Sequence, residues 1–171
     1  MTDCAKQSLL FADLGARKVV ADFSAGDLSS DGGVRLLRQV DHGLGVSRAL
    51  AACFHDARDA RFVEHSLPQL VAQRLYGLAL GCEDLNDHAV LRRDPLLAAA
   101  CDKLDPLGQD RLHPAARGAA LAAPCTRNRL ELSNNQTTRS HKLPHDPAAI
   151  AACLLTLGTR CLPKQIGRAH V

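Results

Sequence analysis

At 171 residues the chain suits one domain of ordinary size, or a small domain with an appendage. Apolar residues make up 46% of it, but they are mostly Leu (28) and Ala (27), against 9 Val, 2 Ile and five aromatics with no Trp. Sheets draw on β-branched and aromatic side chains and helices on Leu and Ala, so the composition excludes an all-β sandwich or a parallel-sheet enzyme. No run nears the ~20 apolar residues of a membrane span. The net charge of +3 is uneven: residues 1–102 carry −3 and residues 103–171 carry +6. That imbalance points the second half toward a polyanion, although an ordinary solvated basic surface explains a charge of this size as well or better. The opening Met1-Thr2-Asp3-Cys4-Ala5-Lys6 lacks the apolar stretch of a secretory signal. Seven cysteines, an odd number with no Cys-x-x-Cys pair, read as free thiols in a reducing compartment, so the expected location is the cytoplasm.

In chain order, residues 1–16 show little pattern, and Arg17 to Phe23 suit one short strand. Val34, Leu37, Val40 and Leu44 recur at spacings of three and four, which predicts a helix buried on that face and stopped by Gly43 and Gly45. Ser47 is the expected cap of a second helix carrying Leu50, Cys53 and Phe54. Residues 55–65 are polar and mixed in charge and read as loop. Ser66, with Pro68 in the first turn, opens the strongest helix. Leu67, Leu70, Val71, Arg74, Leu75 and Leu78 form its stripe, and Gly81 ends it. Glu83 to Arg92 reads as another short helix, and Asp94-Pro95 caps a third that ends near Ala100. Pro106, Gly108, Pro114 and Gly118 punctuate a connector. Helical character returns over Ala119 to Leu132 with a break at Pro124. Asp146-Pro147 then opens a helix containing Ile150, Cys153, Leu154 and Leu157, with Gly158 as its stop.

The expected fold is therefore mostly α: a cluster of short helices with at most one short N-terminal strand, then a loop-rich connector and a further helix. Residues 1–101 form an N-terminal helical domain, 102–146 a basic connector with a helix-turn-helix candidate, and 147–171 a helix and an aberrant C-terminal tail.

Several constellations invite a chemical reading. Asp84, Asp87 and His88 lie within about one helical turn, and Asp56 and Asp59 are three apart. Two-metal or acid–base chemistry needs carboxylates converging from different elements, whereas neighbours on one short helix more often cap it or pair with an arginine. His141, His145, Cys153 and Cys161 carry donors that suit zinc, but their spacing is loose and a buried thiol is the plainer reading of Cys153. Gly-rich phosphate loops, Gly-x-Ser-x-Gly and His-Glu-x-x-His do not occur.

The basic residues say more. Thr126-Arg127-Asn128-Arg129-Leu130-Glu131, preceded by the apolar Ala119-Ala120-Leu121, has the pattern of half a helix-turn-helix. In that arrangement Arg127 and Asn128 face the groove, Leu130 packs inward, and Arg139, His141 and Lys142 reach phosphates. The candidate DNA-binding residues are Arg127, Asn128, Arg129, Arg139 and Lys142. An ordinary surface helix beside a basic linker is the alternative, and the residues alone balance the two.

A longer collinear pattern carries a resemblance. Its pieces are Asp22-Phe23 with Leu28 to Arg38, Asp56-Ala57-Arg58-Asp59 followed by Val63-Glu64-His65-Ser66, and Gln73-Arg74-Leu75-Tyr76 running on through Ala79 to His88. Leu91-Arg92-Arg93-Asp94-Pro95, Leu121-Ala122 and Thr126-x-x-Arg129-Leu130-Glu131 continue it. Together they resemble the bacterial insertion-sequence transposases of the DDE group 1 family over the chain to about residue 164. The resemblance implies DNA transposition: recognition of terminal inverted repeats, then cutting and rejoining of DNA by an RNase H-like domain. That domain holds two Asp and one Glu around divalent metal, usually Mg²⁺. The helical N-terminal part would support DNA binding and assembly.

The sequence departs from the family after Cys161-Leu162-Pro163-Lys164. There the family enters an apolar strand bearing the first catalytic Asp, but here Gln165-Ile166-Gly167-Arg168-Ala169-His170-Val171 follows. Cys125 also stands where relatives tend to have Pro. No catalytic or metal-binding residue is carried over. The expectation is an N-terminal transposase fragment, inactive alone and without its own metal cofactor, that retains DNA binding. The alternatives are a helical interaction module that modulates an intact full-length transposase, or a small zinc-stabilised module.

Overall fold

The computed structural model describes residues 9–14, 17–21, 31–131 and 143–161. Strands β1 (Leu9–Leu14) and β2 (Arg17–Ala21) form an antiparallel hairpin in which Leu9 pairs with Ala21 and Phe11 with Val19. One strand at most was expected, and two are present among the described residues. The additional strand, Leu-Leu-Phe-Ala-Asp-Leu, lacks clean alternation of apolar and polar residues, so its partner reveals it rather than its own pattern. Seven α-helices follow among the described residues: α1 (Val34–Leu44), α2 (Val46–Ala51), α3 (Leu67–Ala79), α4 (His88–Leu91), α5 (Pro95–Ala100), α6 (Pro124–Glu131) and α7 (Pro147–Cys161). Single 3₁₀ turns sit at Ala60–Phe62, Leu85–Asp87 and Pro114–Ala116. The molecule is mostly helical, as its composition requires.

Local chemistry explains where most helices begin. Ser66 and Gln69 form a reciprocal capping box at the start of α3: the Ser66 Oγ accepts from the Gln69 N–H and the Gln69 Oε1 accepts from the Ser66 N–H. Asp94 Oδ1 accepts from the Leu96 and Leu97 amides at 2.7 and 3.0 Å at the start of α5, and Asp146 receives the Ala148 N–H at α7. Gly45, at φ +70°, ends α1 and directly begins α2, so Ser47 is not the cap. Instead the Ser47 amide and hydroxyl both donate to Asp41, at 2.7 and 2.6 Å. The helix expected from Glu83 to Arg92 is reduced to the 3₁₀ turn and the single turn of α4. The α7 helix continues through Gly158.

Helix α3 stands between two apolar clusters. On one side Ala72 and Tyr76 pack with Val34 of α1, Leu97, Ala98 and Ala100 of α5, and Leu121. On the other, Leu67, Leu70 and Val71 pack with Leu50 of α2, Leu130 of α6 and Leu143 ahead of α7. The expected apolar face of α1 is corrected here. Val34 is buried, but Val40 is exposed, as is Leu36, while Arg35 and Asp41 are buried. Tyr76 explains the inversion at Asp41, since its hydroxyl donates to that carboxylate at 2.7 Å alongside Ser47. Burial pushes the Asp41 carboxyl up, but the hydrogen bonds from Ser47 and Tyr76 outweigh it and hold the group below its usual range.

Arg111 staples the loop-rich segment to the body. Its guanidinium donates to Glu64 Oε2 at 2.8 Å and to the Ala119 carbonyl at 3.2 Å, and lies 2.7 Å from His65 Nε2. Glu64 also receives the Leu112 N–H, and its carbonyl takes the Lys103 ammonium. Gly108 lets two stretches of this segment touch: at φ +67°, a Cβ there would lie 2.6 Å from the Ala120 amide nitrogen. Among the described residues no helix is long and apolar enough to cross a membrane.

Candidate nucleic-acid interface

The basic segment singled out above is centred on α6. Residues 119–123, expected to be helical, are not; Ala119, Ala120, Leu121 and Ala122 lie buried in irregular backbone that leads into Pro124. A backbone strand of this kind in the interior needs partners for its polar groups. The Leu121 N–H donates to the Arg92 carbonyl at 3.1 Å. Gln73 serves Ala122 on both sides: its Oε1 accepts the Ala122 N–H and its Nε2 donates to the Ala122 carbonyl, each at 3.1 Å. The helix preceding α6 that a helix-turn-helix needs is therefore absent from residues 119–123.

With its entry fixed by Gln73, α6 turns Arg127 and Leu130 inward and Asn128 and Arg129 outward. The inward position of Arg127 corrects the expectation that it faces a groove. Its side chain is fully buried, and the nearest carboxylate is Glu131, with Arg127 Nη2 3.9 Å from Oε1. The same Glu131 oxygen lies 2.6 Å from Arg74 Nε, which ties α6 to α3, and Arg74 Nη1 donates to the Glu83 carbonyl. Burial, aided by the charge of Arg74, pushes the Arg127 guanidinium down to about 10, still charged at neutral pH. Arg139 and Lys142 lie outside the described residues.

His88 shares this interior. Its ring sits over Gly77, where a Cβ would come 2.9 Å from Cε1, and its Nδ1 lies 3.3 Å from Gln73 Nε2. The Gln73 amide orientation is set by Ala122, so Nε2 is the donor and the His88 proton belongs on Nε2. Burial, with the charges of Arg127 and Arg74, lowers the His88 pKa to about 4. Sequence reasoning missed this Gln73–His88–Arg127 seam because the three residues come from separate elements. Gly77 alone hints at it, since the His88 ring occupies the space a Cβ there would need.

Three of the carboxylates that drew attention in the sequence, Asp56, Asp59 and Asp84, are engaged locally. Asp56 takes the Arg58 guanidinium at 2.8 and 2.7 Å, and Asp59 takes Arg61 and the Arg61 N–H. Asp84 receives the Asn86 N–H. Among the described residues no three His, Cys, Asp or Glu side chains gather to hold a metal ion. The described carboxylates therefore do not fit the magnesium ions that the resemblance implies. Of the zinc candidates, His145 packs its ring against Phe54 with centroids 5.4 Å apart, and Cys153 lies beside Cys53. His141 and the Cys161 side chain fall outside the described residues.

Comparison with protein families gives a match to the family model described as transposase DDE domain, group 1, over residues 11–154. No curated protein and no solved structure matches the chain. The matched span takes in most of β1, all of β2 and of α1 to α6, and half of α7, including the seam that presents Asn128 and Arg129. The chain belongs to the group 1 DDE-domain transposase family.

Proposed function

We propose that this chain serves DNA transposition as a DNA-binding helical part of an insertion-sequence transposase and does not itself perform strand transfer. The observation that carries the reading is the outward presentation of Asn128 and Arg129 on α6, a helix anchored from behind by Leu130, Arg127 and the Gln73 clamp. Asn and Arg are the side chains that read adenine and guanine edges in a major groove. Arg139 and Lys142 follow in the chain and supply phosphate contacts. Residues 1–101 act as the helical body, 102–146 as the DNA-facing part, and 147–171 as a further helix and tail. The DNA is the element's terminal inverted repeats, a choice that rests on family membership. Asp56, Asp59, Glu64 and Glu131 pair with arginines and Asp94 caps α5, so none of these five is assigned a part in strand transfer. The cytoplasm suits the five cysteines whose side chains are described, all free thiols.

Fluorescence anisotropy of a labelled inverted-repeat duplex tests this reading. Binding is expected at low salt, weakening with a log–log slope of roughly −0.9 per neutralised phosphate. The N128A/R129A double variant should bind more weakly. Absence of binding at low salt refutes the reading. The exposure of Leu154 and Leu155 on α7 favours a second reading, a helical module that pairs with an intact transposase. Co-purification with the full-length enzyme in the absence of DNA distinguishes the two.

A further inference from the structure

Glu131 stands against two cations. Its Oε1 lies 2.6 Å from Arg74 Nε and 3.9 Å from Arg127 Nη2. Arg127 is wholly buried, and its Nε, Nη1 and Nη2 have no hydrogen-bond partner among the described residues. A guanidinium presents five N–H donors, and a buried one left without acceptors is unfavourable. His88, held neutral next to it, does not alter the charge count. The seam therefore has one positive charge in excess and several unused donors. The acid that partly answers them is the last residue of an eight-residue helix, with a side chain 29% exposed at the rim.

A phosphate group has what this arrangement lacks: negative charge and several acceptor oxygens, in a geometry that matches the guanidinium fork. The geometry points to a phosphate-binding site at the α3–α6 seam, made by Arg74 and Arg127, in which Glu131 stands in for the phosphate until one displaces it. The incoming group is a backbone phosphate of nucleic acid or free inorganic phosphate. Displacement of the Glu131 side chain puts a phosphate oxygen where its Oε1 now lies, 2.6 Å from Arg74 Nε and 3.9 Å from Arg127 Nη2. As a DNA-binding element the site rests on the function proposed above; as an anion site it does not.

The test uses the full 171-residue chain. Glu131→Gln removes the competing charge and keeps the side-chain shape. Millimolar inorganic phosphate should raise the Tm of E131Q more than that of the wild type, and the added rise should vanish in E131Q/R127M and E131Q/R74M. A short labelled duplex should bind E131Q severalfold more tightly, with a salt slope steeper by about 0.9 for each further phosphate neutralised. A phosphate effect without a duplex effect identifies free phosphate as the ligand. It leaves the anion site standing whether or not the wild type binds DNA. A folded E131Q that responds to neither ligand overturns the proposal. Should E131Q fail to fold, Arg127→Met decides: the expected result is a higher Tm that no longer depends on phosphate. A lower Tm with wild-type phosphate dependence overturns the site.

Discussion

Gln73 takes the place that a neighbouring strand takes in a sheet. It satisfies both backbone groups of Ala122 in the interior and also reaches His88. Truncation to Ala would leave a buried N–H and a buried C=O unpaired, each costing about 1–3 kcal/mol. Gln73→Ala is therefore expected to lower the unfolding free energy by at least about 2 kcal/mol in urea titration, far more than truncation of an exposed glutamine such as Gln109 would. Nothing in the spacing of Gln73 along α3 distinguishes it from a solvent-facing glutamine. The acceptor and donor it serves lie 49 residues further on, so its burial is not legible locally.

At the scale of elements, the starts of α3, α5 and α7 were readable because capping acts within three residues. Ser66, Asp94 and Asp146 stand where the sequence placed them. The Asp94 cap gives a direct test. Asp94→Ala should destabilise by about 1–2 kcal/mol and Asp94→Asn by much less, because Asn accepts the same amide bonds. Paired Tm measurements on the two variants separate cap from charge. The buried face of α1 was not readable in this way. Leu36 and Val40 are 60% and 57% exposed, while Asp41 turns inward to Ser47 and Tyr76. Apolar periodicity identified a helix there but not which face would be covered, since the polar partners that permit burial of Asp41 come partly from α3. The same holds for α6, where the helix was legible and the inward turn of Arg127 was not.

At the scale of the whole molecule, two histidines among the described residues are buried, His65 and His88. Burial, with the charges of Lys103 and Arg111, lowers His65 to about 3, and His88 is lowered to about 4. Unfolded histidine titrates near 6.5. Between that value and the folded pKa values the unfolded chain binds more protons than the native one, so stability is complete above about pH 6.5 and falls as the pH drops toward 4. Urea midpoints should thus hold steady down to about pH 6.5 and decrease from there to about pH 4.5. A flat profile over that range would show that both rings protonate freely in the native state. Asp41, held below its usual range, adds its own loss only at more acidic pH and does not enter this window.

By itself the sequence determined the class of the molecule, the positions of its strongest helices and the family it belongs to. Leu and Ala content, caps and collinear motifs act locally or along the chain. Tertiary structure alone decided which charged residues went inside. Arg127 lies buried, 3.9 Å from Glu131, on a helix that follows Ala122, whose backbone Gln73 pairs in the interior. A side chain's burial depends on whether distant groups can answer its hydrogen bonds and charge, and that information exists only once the chain has folded back on itself.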